Sequence, residues 1–305
     1  MKKTLFAIIA LAVAAAACNK ADVISVDRQL IAFGNAFVDN ATKATDPTYS
    51  GTADLSSFNV YGTVTGTVGT VNIFDGVAVT GTVGTTEWSY AEQYNQYWIP
   101  GADYDFVGIV DADAVTQNGH KMPTTITYKT AGQKDLLYAT AHVEDATATE
   151  AAVNMTFSHL LSKAQFTVTS SAQGGYYHSV TGIKVSNFET GTYTINGGTW
   201  AGTTAKNIEF GDVAEVTAAS GAKTNTTQML LVPNAATFNV IFTVDLYKGT
   251  TKLGTETKTI AVENDLVKGN AYNFTIACSV GNPIKFTVTS DPTWATPTQP
   301  NVTIQ

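Results

Sequence analysis

Residue types able to do chemistry are sparse in this chain and do not converge. The four histidines, His120, His142, His159 and His178, are scattered, and none has a second His, Cys or carboxylate at metal-ligand spacing. Asp111-Ala112-Asp113 with Asn118-Gly119 has the oxygen-rich look of a calcium loop, yet the ligand spacing and the closing Glu are missing. Neither a Gly-x-Ser-x-Gly elbow nor a phosphate-binding or dinucleotide glycine pattern occurs. His159 follows a serine and is expected to be a packed or capping histidine, not a base. No enzymatic constellation, metal or cofactor is expected.

Residues suited to modification are better placed. Met1-Lys2-Lys3, the apolar run Leu5 to Ala17 and then Cys18 make a secretory signal, too short to span a bilayer as a mature helix. Ala15-Ala16-Ala17 before Cys18 resembles a bacterial lipobox, in which the thiol carries a diacylglycerol and a peptidase cuts before it. Ala15 stands where Leu is usual, and the alternative is an ordinary secretory peptide cut near Ala17. Arg28, the only arginine, and Lys43, in Asn40-Ala41-Thr42-Lys43-Ala44, are candidate cleavage points for a trypsin-like protease.

Between those two basic residues the sequence places a strand. Leu30, Ile31, Phe33, Phe37 and Val38 supply its apolar content; Ile31, Phe33 and Phe37 fall on one face of an extended chain, interrupted by Gly34 and Asn35. Cleavage at Arg28 would leave Leu30 to Val38 attached, whereas cleavage at Lys43 would release the whole strand.

The body that must position these features reads as all-β. Thr, Val, Gly and Tyr are abundant and only 14% of the 305 residues are charged, a composition suited to strands and turns. The net charge of −8 argues against a nucleic-acid partner, which needs a basic stripe. Short extended runs recur from Phe58 to Cys278, giving roughly seven strands per half and no convincing helix. Two tandem antiparallel β-sandwiches follow, with the Asp/Thr/Ala-rich stretch from Glu144 to Ala152 as their boundary. The expected organisation is a signal over 1–17, a propeptide with a removable strand over 18–43, sandwiches over 44–152 and 153–281, and a tail over 282–305.

Several local expectations can be checked. Asp75-Gly76, flanked by Val71, Ile73, Val77 and Val79, signals a hairpin turn with light, exposed arms. Ser158 offers an N-cap for a turn of helix over 158–161. Cys278 shares the parity of Tyr272, Phe274 and Ile276 and should be buried as a small hydrophobe. The aromatic run from Trp88 to Trp98 admits a sugar-stacking platform, although core packing is favoured because its rings bracket strands with buried parity. In the tail, Ile284, Phe286 and Val288 alternate as Ile31 and Phe33 do, and Val302 and Ile304 share one parity, so a spare strand is expected beyond a complete domain.

Taken together, Trp88-Ser89-Tyr90, Tyr97-Trp98-Ile99-Pro100, Tyr104-Asp105-Phe106, Gln133 to Ala139, Val153 to Phe157 with His159 to Lys163, and Tyr272 to Ile276 with Ile284 to Val288 and Trp294 resemble the fimbrillin (Mfa-like, type V pilin) family. The resemblance implies two transthyretin-like sandwiches, an outer-membrane lipoprotein precursor and then a place in a cell-surface fimbrium serving adhesion. It also implies removal of the N-terminal strand by an arginine-specific protease, followed by strand exchange with other copies or related subunits. Lys43 stands where the family pattern has arginine. A surface glycan-binding lipoprotein is the alternative reading. If Cys18 is the lipid acceptor, Cys18→Ala should move the precursor out of the membrane fraction; unchanged incorporation of labelled lipid would sink that assignment.

Overall fold

The computed structural model describes residues 28–38, 55–82, 88–211, 223–234, 237–263 and 265–291. These residues form an all-β structure without an α-helix, the two short helical turns at Glu92–Tyr94 and Thr130–Gly132 being 3-10. In chain order the strands are β1 (Phe33–Val38), β2 (Ser57–Gly66), β3 (Gly69–Gly81), β4 (Trp88–Ser89), β5 (Asp103–Val110), β6 (Ala114–Gln117), β7 (Pro123–Lys129), β8 (Leu137–Val143) and β9 (Val153–His159). There follow β10 (Ser162–Ser171), β11 (Tyr176–Thr194), β12 (Thr199–Glu209), β13 (Lys223–Asn225), β14 (Met229–Leu231), β15 (Phe238–Lys248), β16 (Thr251–Val262), β17 (Ala271–Ser279) and β18 (Lys285–Asp291).

Seven strands close into a barrel in the order β1-β4-β3-β2-β5-β8-β9. Its core holds Phe33, Phe58, Phe74, Trp98, Tyr104, Phe106 and Phe157, all nearly inaccessible to solvent. A second core lies between the sheet of β13-β10-β17-β18, with β14, and the sheet of β16-β15-β11-β7-β6, with β12. Alternation reads as expected in β15, where Phe238, Val240, Phe242 and Val244 are buried. Both assemblies depart from pure antiparallel pairing, because β1 pairs parallel with β9 and β10 parallel with β17.

The boundary expected at residue 152 is displaced. β9 pairs with β8 and β1, and its Val153, Met155 and Phe157 fill the barrel, so the chain leaves the first unit only after His159. Nor does the expected turn of helix at Ser158 form, since β9 runs through it and its alternating burial overrides the cap signal. The units are also laced together. β7, from the first half, pairs with Thr190–Thr194 of β11, and a third core of Tyr61, Val107, Tyr128, Leu160, Leu161, Tyr193 and Val232 fills the space between.

Asp75-Gly76 is not a turn. The β2–β3 hairpin turns between Gly66 and Gly69, while Gly76 is an extra residue between the pairs Tyr61↔Asp75 and Val60↔Val77. Its φ of +67° shows why the sequence signal misleads: a bulge needs the same left-handed glycine that a tight hairpin turn does.

Cys278 is buried at 2% exposure beside Phe274 and Ile276, on the expected face of β17. Burial pushes its thiol up to about 11, so at pH 8 almost none is thiolate. A thiol reagent at that pH should label Cys278 only when denaturant is added; mass spectrometry showing native labelling at the rate of an unhindered thiol would contradict the packing.

Candidate functional site

The site built most clearly into this fold is the slot that β1 occupies. Gln29 to Ala32 enter beside the loop after the first 3-10 turn: Ile31 N–H donates to Gln96 O at 2.8 Å and Trp98 N–H to Gln29 O at 3.1 Å. On the other side Gln29 N–H donates to Ala148 O at 3.2 Å and Val153 N–H to Ala32 O at 2.8 Å. Two tyrosines set this entrance. Tyr90 Oη donates to Ile31 O at 2.6 Å, while Tyr104 Oη accepts from Ile99 N–H at 2.7 Å. Burial raises the pKa of both phenols, so the hydroxyls stay protonated.

Phe33 is the centre of the slot. Its ring meets those of Phe58, Phe74, Tyr90 and Phe106 edge-on, with centroids 5.7–6.0 Å apart. Gly34 permits close approach to the neighbouring chain, since a Cβ there would lie 3.0 Å from that of Ala152. The register against β9 then slips between Gly34↔Asn154 and Phe37↔Thr156, inserting an extra residue. This bulge changes the inward parity from Ile31 and Phe33 to Ala36 and Val38, all about 1% exposed or less. Sequence periodicity alone put Ile31, Phe33 and Phe37 on one face; Gly34-Asn35 was the only signal of a break, and Ala36 was missed as an inward residue. Leu30 pairs in an isolated bridge with Tyr97 and is 39% exposed.

The remaining expected residues fall in different places. Arg28 is exposed at the entrance of the slot, whereas Cys18, Lys43, Val302 and Ile304 lie outside the described residues. Ile284, Phe286 and Val288 are not spare. β18 pairs antiparallel with β17, Phe286 stacks on Phe274 at 6.0 Å, and Phe286 and Val288 complete the second core. Alternation shows that such a segment is a strand without showing which sheet it joins, and here its own domain takes it.

The aromatic run is mostly core. Trp88 and Trp98 are 4% and 0% exposed, which removes them from any stacking platform and leaves Tyr94 and Tyr97 outside. His159 is packed: its Nδ1 lies 2.7 Å from Asp135 Oδ2, both side chains buried. Burial raises the Asp135 carboxyl above its usual range, opposed by His159. Asp113 Oδ2 accepts from Lys129 N–H and Asn118 Oδ1 from His120 and Met122 N–H, so these oxygens brace their own loops. No group of three or more His, Cys, Asp or Glu among the described residues could hold a metal ion.

No curated protein matches the chain. Among solved structures, a fimbrial protein from Bacteroides vulgatus superposes with a TM-score of 0.61 at 16% identity, covering 88% of this chain and 100% of that one. A putative cell adhesion protein from Bacteroides uniformis gives 0.54 at 19% identity, with 88% and 100% coverage. One from Bacteroides ovatus gives 0.51 at 16%, with 86% and 95%. At these identities the likeness is one of fold. The fimbrillin-like family model matches residues 42–292, most of the chain, and by that match this protein belongs to the fimbrillin-like family.

Proposed function

We propose that this protein is a structural subunit of surface fimbriae, exported as an outer-membrane lipoprotein precursor through Cys18 and polymerised by strand exchange to serve adhesion. It is a fimbrial structural protein and not an enzyme. The observation that carries the mechanism is the closure of the barrel by β1. This strand sits at the start of the body and can leave whole if the chain is cut at Lys43. Its loss would take away the buried Ile31, Phe33 and Val38, three side chains contributing roughly 5–9 kcal/mol of burial, uncover the rings of Phe58, Phe74 and Phe106 that pack on Phe33, and leave one side of β9 unpaired. A strand from another subunit would recover both. Cutting at Arg28 would leave the slot filled. The tandem transthyretin-like sandwich is our reading of the two β units.

The docking of β18 constrains the donor. While it pairs with β17, its end at Asp291 lies opposite Ala271, next to Lys163 where β10 begins, and residues 292–305 start from the junction of the units. If β18 peels away, the whole tail from Ile284 to Ile304 starts instead from Gly281 and Asn282, at the far end of the second unit. We therefore infer that Ile284, Phe286 and Val288 are held in the precursor and join Val302 and Ile304 in the donor during assembly. β18 is an edge strand, so peeling breaks one ladder only. The buried tryptophans give the glycan-platform alternative little to work with.

The N-terminus of assembled subunits, read by mass spectrometry, tests the processing step. Ala44 is expected, while Gln29 or an acylated Cys18 would mean that β1 stays and the slot is never opened. The donor is tested with a clamp across the directly paired Thr275 and Thr287. Thr275→Cys with Thr287→Cys, once oxidised, should give a folded precursor that no longer forms fibres, with assembly restored by reductant. Fibres from the oxidised protein would show that 292–305 donates alone.

A further inference from the structure

We propose that the end of the barrel remote from β10 is a docking face for the far end of the second unit of another copy of this chain. This rests on the reading of the chain as a polymerising subunit, and identifies where copies meet before any strand is exchanged. Strand directions define both ends. In the first unit the starts of β1, β5 and β9, the end of β8 and the β2–β3 turn lie together, through the pairs Thr65↔Asp103, Tyr104↔Val143 and Leu30↔Tyr97. In the second unit the ends of β10, β15 and β17 and the starts of β11, β16 and β18 lie together, through Ser171↔Ser279, Tyr176↔Lys248 and Ala277↔Lys285.

The barrel end is apolar beyond what an isolated surface requires. Eight large hydrophobic side chains stay exposed among the described residues, and six of them, Leu30, Val68, Val71, Tyr94, Tyr97 and Ile99, are here. Leu30 and Tyr97, bridged to each other, lie at the entrance of the β1 slot, so losing β1 would remove Leu30 and enlarge the free face of Tyr97.

Charge selects the occupant. The same end carries Glu92, Asp103, Asp105, Glu144, Asp145 and Glu150, with Arg28 as its fixed cation and His142 bound to Asp105 at 2.7 Å. Cleavage at Lys43 would remove Arg28. The far end of the second unit has the opposite sign: Lys248, Lys252 and Lys285 are exposed there, next to exposed Leu253, and the neighbouring Asp245 is taken up by Lys252 at 2.8 Å. An acidic apolar end and a basic end on one chain fit head to tail, and two like ends repel. The same fit brings the Gly281 turn, from which the tail would start, to the entrance of the neighbour's slot.

Charge reversal at each end and at both tests this on precursor cut at Lys43. At low salt, Lys248→Glu with Thr251→Glu, or Glu92→Lys with Glu144→Lys, should each slow fibre growth about tenfold, and the four changes together should restore it to within about twofold. Equal rates for all four proteins, or no recovery in the combination, would overturn the proposal. Sedimentation provides a readout that does not need strand exchange. Self-association that follows the charges without fibres would uphold the docking face and remove strand exchange, and its absence alongside absent fibres would overturn the face as well.

Discussion

The structure depends on closure of the first barrel by a strand that is only locally attached. β4 is two residues long and β9 lies on the other side of the gap, so no direct ladder between them is available; β1 bridges them, antiparallel to one and parallel to the other. Phe33 then fills the middle of the barrel, where four other rings close around it. A parallel neighbour cannot be reached by a short hairpin. Chain topology therefore forces β1 to lie far away in sequence from β9, its parallel partner.

The second unit is built on a related plan with a different outcome. There, too, a parallel pair, β10 with β17, lies at the centre of a sheet, but the strand added last in sequence is the edge strand β18. An interior strand leaves two broken ladders and an open core, whereas an edge strand leaves one ladder. Under the strand exchange proposed above, this difference would suit one end of the chain to accept a strand and the other to donate one.

Much of this was legible in the sequence where local periodicity and burial agree. β15, β17 and the inward face of β9 follow their alternation, and Cys278 lies where its parity puts it. What failed were inferences about partners. The alternation of β9 names a strand but not the unit it joins, and β18 likewise. β11 runs unbroken from Tyr176 to Thr194 and pairs with β15 at one end and β7 at the other, which local alternation does not reveal. In β1 the change of inward face depends on a bulge, which period-two reading cannot anticipate beyond the hint of Gly34-Asn35. Asp75-Gly76 shows the complementary limit: the dipeptide fixes a backbone conformation, and turn and bulge share it.

The lacing of β7 into the second sheet bears on how such a molecule transmits tension. In a fibre of the kind proposed above, a subunit held at its barrel by one neighbour and at its tail by another would be pulled across the junction between its units. That junction is no flexible linker. Separating the units means breaking the ladder between Thr125–Lys129 and Thr190–Thr194 at the same moment as the core around Tyr128, Leu160, Tyr193 and Val232. Hydrogen bonds and apolar packing that yield together resist force better than either yielding in sequence, so the two units stretch as one rigid link and extension falls on the joints between subunits.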